Sequence, residues 1–122
     1  MKSNNLIKFL CLVYFEGKKF HAMTATERAA FDRDSYAYDM KLKKAGYWIT
    51  AEALQSPKSS RLVSKRGRKV IVGGGPFVET KEALGGFILV KAKNLRHAEK
   101  IAGGIPLARL GWIEVRPIFD FR

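Results

Sequence analysis

Glu79, Lys81 and Glu82 form the densest polar cluster of the chain outside one basic stretch. A carboxylate pair with a lysine beside it suits proton transfer, because a nearby opposite charge lowers the pKa of one acid. The cluster follows Gly73-Gly74-Gly75-Pro76-Phe77 and precedes Leu84-Gly85-Gly86-Phe87. Glycine admits backbone angles closed to other residues and proline fixes its own, so this is a shaped loop. Such loops are where sites are built. The plainer reading, which the pattern favours, is a helical turn after Pro76 whose acids complement the dipole and pair locally.

Asp34 is a second candidate acid. On a helix it falls near the stripe of Phe31 and Tyr38, so partial burial and an ion pair with Arg116 or Lys81 are expected. A structural pair is favoured there over a catalytic one. Glu52 is expected on one strand face with Trp48 and Thr50, and Glu114 alternates with Arg116 on the last strand. Facing a cleft, these groups offer a carboxylate, a guanidinium and an indole to a small anionic or aromatic ligand. Cross-strand salt bridging is the plainer alternative. Tyr14, Phe77 and Lys81 complete the candidate binding set, with Tyr14 also read as a packing residue whose hydroxyl is hydrogen-bonded.

Other chemistries are excluded. His21 and His97 stand alone, without a Cys or His at ligand spacing, so no metal site is expected. The glycine triplet lacks the Gly-Lys-Ser/Thr ending of a phosphate loop, so neither a nucleotide nor another cofactor is expected. The single cysteine, Cys11, sits among Leu10, Leu12 and Val13. It forms no internal disulfide and reads as core.

The elements that must position these groups follow from periodicity. Leu6 to Phe15 is a near-continuous apolar run and reads as a central strand. Gly17 to Met23 reads as a loop. Thr24 and Glu27 form a capping box, Phe31, Tyr38, Leu42 and Ala45 share a helix face, and Gly46 stops that helix. Tyr47 to Leu54 is a second strand, broken at Ser56-Pro57. Arg61 to Ser64 and Lys69 to Val72 form a hairpin around Arg66-Gly67. Gly86 to Ala92 is a strand, Asn94 caps a short helix carrying Leu95, Ala98, Ile101 and Ala102, and Trp112 to Ile118 is the last strand.

This order predicts an α+β domain: a ferredoxin-like βαββαβ plan with an inserted β-hairpin. Both helices are expected on one sheet face. The other face needs a cover, and a second copy of the chain is the simplest one, so a homodimer is expected. The 122 residues fit a single domain, 1–122, with 47% hydrophobic and 28% charged content. No apolar run approaches the roughly 18 residues of a spanning helix. Met1 to Phe15 lacks a small-residue cleavage site and is interrupted by Lys8, so no membrane association and a cytoplasmic location are expected. The net charge of +12 speaks to partners rather than fold. The basic stretch, Lys58, Arg61, Lys65, Arg66, Arg68 and Lys69, holds no acid. It carries no interleaved aromatic for base stacking, so nucleic acid is the less favoured partner and a solvated edge the plainer one.

Gly75-Pro76-Phe77, Glu79-Thr80-Lys81-Glu82 and Leu84-Gly85-Gly86-Phe87 resemble the signature of DGPF-domain proteins of the YCII-related superfamily. Ile105-Pro106, Ala108, Gly111 and Ile113-Glu114-Val115-Arg116-Pro117 resemble the same family's C-terminus, and Phe9 to Phe15 its start. The resemblance implies a ferredoxin-like fold dimerised into an α+β barrel around a cleft, and a lyase- or isomerase-type activity or a link to transcriptional regulation. The chain departs from the pattern twice: Gly74 stands where an acid usually precedes Gly-Pro-Phe, and Tyr47 where a histidine often follows the helix-ending glycine. Tyr47 can donate a proton, but an unperturbed pKa of about 10 makes it a poor base at neutral pH. Three expectations follow: a dimer binding a small aromatic or anionic metabolite in an interface cleft, an enzyme using Glu79, Glu82, Asp34 or Tyr47 for proton transfer, or a regulatory module whose basic surface binds nucleic acid.

Overall fold

The computed structural model describes residues 5–121, so residues 1–4 of the opening segment lie outside the described residues. The chain is a mixed α+β structure with two antiparallel sheets. The central strand β1 (Ile7–Phe15) alternates: Phe9, Cys11 and Val13 are buried, while Leu10, Leu12 and Tyr14 face the other way and are half-buried. It pairs antiparallel with β5 (Ala83–Ala92) on one side and β6 (Gly111–Pro117) on the other. The edge strand β2 (Trp48–Ala53) pairs antiparallel with β5, giving the order β2-β5-β1-β6. The ribbon of β3 (Arg61–Arg66) and β4 (Lys69–Gly74) forms a separate two-stranded sheet.

The segment Gly17 to Met23 is not the expected loop throughout: Gly17–His21 form a short helix, α1. Its Phe20 packs at ring-centroid distances of 5.4 Å from Phe15 and 6.3 Å from Phe31, and the Arg28 guanidinium lies 3.9 Å over the Phe20 ring. Burying these rings supplies what the short segment cannot supply by propensity. The capping box opens α2 (Ala25–Ala45): the Glu27 amide donates to Thr24 Oγ1 at 3.1 Å, and the Thr24 amide to Glu27 Oε1 at 2.8 Å. Gly46 closes it with a left-handed φ of 85°, which a side chain would oppose. Asn94 caps α3 (Leu95–Gly103) by accepting from the His97 amide at 2.8 Å.

Both long helices cover the same sheet face, as expected. Leu42 of α2 and Ala98, Ile101 and Ala102 of α3 join Phe9, Cys11, Ile88 and Val90 in one buried cluster. Tyr38 ties the helices together, its hydroxyl donating to the Ile101 carbonyl at 2.6 Å. Burial of Cys11 pushes its thiol up to about 11, so it is inert core.

One face assignment is corrected. Trp48 pairs with Val90, but Thr50 pairs with Leu89 and Glu52 with Phe87, because Ile49 is an extra residue in β2. A bulge reverses the alternation beyond it. Trp48 therefore lies on the core face, packed against the buried cluster with the Lys43 ammonium 5.0 Å over its ring, and Glu52 lies on the open face. Across that open face the rows Leu10–Leu89 and Leu12–Phe87 put an apolar centre between Glu52 at one edge and Glu114 and Arg116 at the other. No helix of the described residues is long and apolar enough to cross a membrane.

Candidate functional site

A cleft of about 560 Å³ opens at the Tyr14 end of the sheet. Three separated stretches of chain build it, around Tyr14, residues 54–62 and residues 76–84. Tyr14 and Leu84 come from the sheet, where Gly85 is the extra residue that shifts the β1–β5 register. Residues Leu54 to Pro57 follow β2, anchored by the Leu54 amide donating to the Gly85 carbonyl at 2.8 Å. A short 3-10 turn at Pro57–Ser59 and then Ser60 and Leu62 form one wall. The glycine loop forms the other, with Pro76, Phe77, Val78 and Thr80.

Local chemistry holds those walls. Ser59 Oγ donates to the Ser56 carbonyl at 2.7 Å and Ser60 Oγ to the Pro57 carbonyl at 2.5 Å. The Gly75 amide donates to the Ser60 carbonyl at 3.0 Å and so docks the glycine loop on the turn. A Cβ at Gly75 would run into Ser60 Oγ, so a side chain there would push that hydroxyl off the Pro57 carbonyl. The peptide bond from Gly75 to Pro76 is cis. Phe77 beyond it is 86% exposed and overhangs the cleft as its most accessible ring.

The lining holds no charged side chain. Its polar groups are serine, threonine and glutamine side chains and the Tyr14 phenol. Burial first, and the neighbouring Glu114 carboxylate second, raise the Tyr14 pKa, so the phenol stays protonated at neutral pH. Glu114 itself is held below the ordinary glutamate range, chiefly by its hydrogen bond from Arg116. Arg116 Nη2 donates to Glu114, and the Tyr14 phenol lies near enough to that carboxylate to feel its charge.

The structure brings together only part of the sequence-derived set. Tyr14 and Phe77 line the cleft, and Glu114 and Arg116 stand behind Tyr14. Glu114 pairs within its own strand with Arg116 rather than across strands. Glu79, Lys81 and Glu82 do not line the cleft, and the segment after Pro76 forms bends, not the expected helical turn. Lys81 reaches Glu16 at 3.6 Å, so its ion-pair partner is neither neighbouring acid. Asp34 is exposed on α2 and pairs with Arg109 at 3.2 Å, which corrects both its expected burial and its expected partners, Arg116 and Lys81. Tyr47 is half-buried with its ring edge-on to His97 at 4.6 Å between centroids. Trp48 is on the core face, and Glu52 is at the β2 edge of the open face. Sequence reading missed Leu54, Ser59, Ser60, Leu62 and Leu84 as cleft residues. Ser56-Pro57 was the one available signal, as a strand breaker that turns the chain back toward the glycine loop. Among the described residues no group of three or more His, Cys, Asp or Glu side chains is placed to hold a metal.

The fold and cleft define a small α+β domain in which one sheet face is covered by helices and an apolar hollow opens at the end of the other. The YCII-related domain matches residues 7–122, and the chain belongs to that family. A search of curated proteins found no match to it.

Proposed function

We propose that this chain binds a small, neutral aromatic metabolite in the cleft beside Tyr14 and works as a homodimer. The observation that carries this reading is the lining: apolar walls, the Phe77 and Tyr14 rings, and no charge. An aromatic guest gains from ring contacts and apolar burial. An anion would find no cation in the lining, because Arg116 is already paired with Glu114 and Lys81 with Glu16. That favours the aromatic ligand class over the anionic one. The Tyr14 hydroxyl in the lining is both a donor and an acceptor, so it suits a phenolic hydroxyl.

The strand order β2-β5-β1-β6, antiparallel throughout, supports reading the main sheet as the ferredoxin-like plan with β3–β4 inserted. Its open face, with Leu10, Leu12, Phe87 and Leu89 at the centre, supports a second copy as its cover and closure into a dimeric α+β barrel. The proton-transfer reading has less support. Glu79, Glu82, Asp34 and Tyr47 lie outside the cleft lining, and Asp34 is committed to Arg109.

The test is calorimetric titration with phenol, catechol, benzoate and cyclohexanol. Saturable binding of the phenols, weaker binding of benzoate, and a loss of about fivefold in Phe77→Ala are expected, the last matching one ring contact of roughly 1 kcal/mol. Glu79→Ala is expected to leave affinity unchanged. Absence of saturable binding by every aromatic probe, or full affinity in Phe77→Ala, refutes the assignment. Sedimentation velocity at the same concentrations tests the dimer.

A further inference from the structure

The β3–β4 ribbon is a strongly charged element whose cations the cleft does not use. Its two strands pack on each other and make no comparable packing with any other element. From Leu54 to Val78 the chain carries no acid, while Lys58, Arg61, Lys65, Arg66, Arg68 and Lys69 are all cations. Among the described residues none of these six takes part in an ion pair. Residues opposite one another in the ladder share a face. Arg61 and Lys65 therefore lie with Val63, Val70 and Val72 on one face, and Arg66 and Lys69 lie on the other. Gly67, at a φ of 61°, makes the turn that carries Arg68 at the tip. The three valines are 67%, 59% and 53% exposed. An exposed apolar stripe bounded by unpaired cations has two needs, a polyanion and apolar contact.

We propose that the β3–β4 ribbon is an arm that binds duplex DNA. A second copy of the chain brings the same charge of +12, so like charges oppose docking through the arms. DNA supplies the opposite charge. The major groove, about 12 Å wide, admits a two-stranded ribbon. The strands are six residues long each, which spans roughly 20 Å and so about six base pairs. The cations meet phosphates, and the valines meet thymine methyl groups at the groove floor. The arm has no aromatic for stacking, which single strands require and duplex does not. The deep, narrow major groove of A-form RNA excludes it.

The experiment is fluorescence anisotropy with a labelled 20-base-pair duplex at about 50 to 200 mM salt. Each neutralised phosphate steepens the log–log salt dependence by about 0.9, so four to six contacts give a slope near −4 to −5. At about 100 mM salt each contact is worth close to one decade, so removing four cations costs about 100-fold even if half are engaged. The arm variant Lys65→Ser, Arg66→Ser, Arg68→Ser, Lys69→Ser is expected to show that loss. A variant with the same charge removed elsewhere (Lys18, Lys19, Lys41 and Lys44 to Ser) is expected to stay within about threefold. If circular dichroism shows the arm variant unfolded, Arg68→Glu at the exposed tip takes its place, with about a tenfold loss expected. No binding at the lowest salt, a slope flatter than about −1, equal loss in the two charge variants, or equal affinity for a single-stranded 20-mer overturns the proposal.

Discussion

Gly86→Ala tests how β2 is seated against β5, and with it the entry to the cleft. Gly86 is buried opposite Ala53, and a Cβ built on it would lie 2.8 Å from the Glu52 carbonyl oxygen and 3.3 Å from the Ala53 Cα. Both obstacles are backbone, so relief requires the edge strand to move. Overpacking of this kind costs about 1–3 kcal/mol. The substitution also lowers unfolded-state entropy, which returns about 0.4–1 kcal/mol. The clash wins, by about 1–2 kcal/mol. A chain of 122 residues unfolds with an entropy near 0.26 kcal/mol/K, so Tm should fall by about 4–8 °C. Gly74→Ala is the matched control. Its Cβ meets nothing within 4 Å and its φ is not left-handed, so only the entropic gain remains. Tm should then rise by about 2–4 °C. Differential scanning calorimetry of the two variants reads the contrast. Because β2 runs directly into Leu54 and the cleft wall, Gly86→Ala should weaken phenol binding as well. A Gly86→Ala protein as stable as the parent, or a Gly74→Ala protein that drops equally, would show that backbone proximity at Ala53 does not govern this edge.

Three further outcomes are expected. Tyr38→Phe removes the bond to the Ile101 carbonyl, costing about 1 kcal/mol and about 4 °C, and an unchanged Tm would deny that this bond couples α2 to α3. Cys11, with its thiol raised from 9.0 to about 11, keeps its proton in the folded state over a window where the unfolded chain loses it. Its stability contribution is therefore whole below pH 9 and is lost as pH rises toward 11, so urea midpoints should fall less steeply across that window in Cys11→Ala, and equal slopes would count against it. Glu114, held low by Arg116, stabilises the fold above the ordinary glutamate pKa and ceases to as pH falls; in Arg116→Ala its carboxyl should titrate at higher pH by NMR, and an unmoved midpoint would break the Glu114–Arg116 pairing.

Much of the frame was legible because its causes are local. The Thr24–Glu27 box, the Gly46 stop and the Asn94 cap each involve residues three or four apart, and all stand as the sequence implied. The apolar run of β1 and the helix stripes pointed to the core, which holds Phe9, Cys11, Leu42 and Ile101. The loop at Gly75-Pro76-Phe77 was legible as unusual backbone because glycine and proline announce it. α1 was not, since its helix depends on Phe20 finding Phe15 and Phe31.

By itself, the chain's order of residues determined the elements other than α1, their caps, the apolar periodicity and the family. Tertiary structure alone decided which side chains meet. The extra residue Ile49 turned Trp48 to the core and Glu52 to the open face, and only strand pairing reveals such a slip. Lys81 found Glu16 and Asp34 found Arg109 across 65 and 75 positions of sequence. The cleft likewise draws on Tyr14, Leu54, Ser60 and Phe77. Periodicity reports what lies within a turn or a pleat; distances between segments are set by packing, and the site is made of those distances.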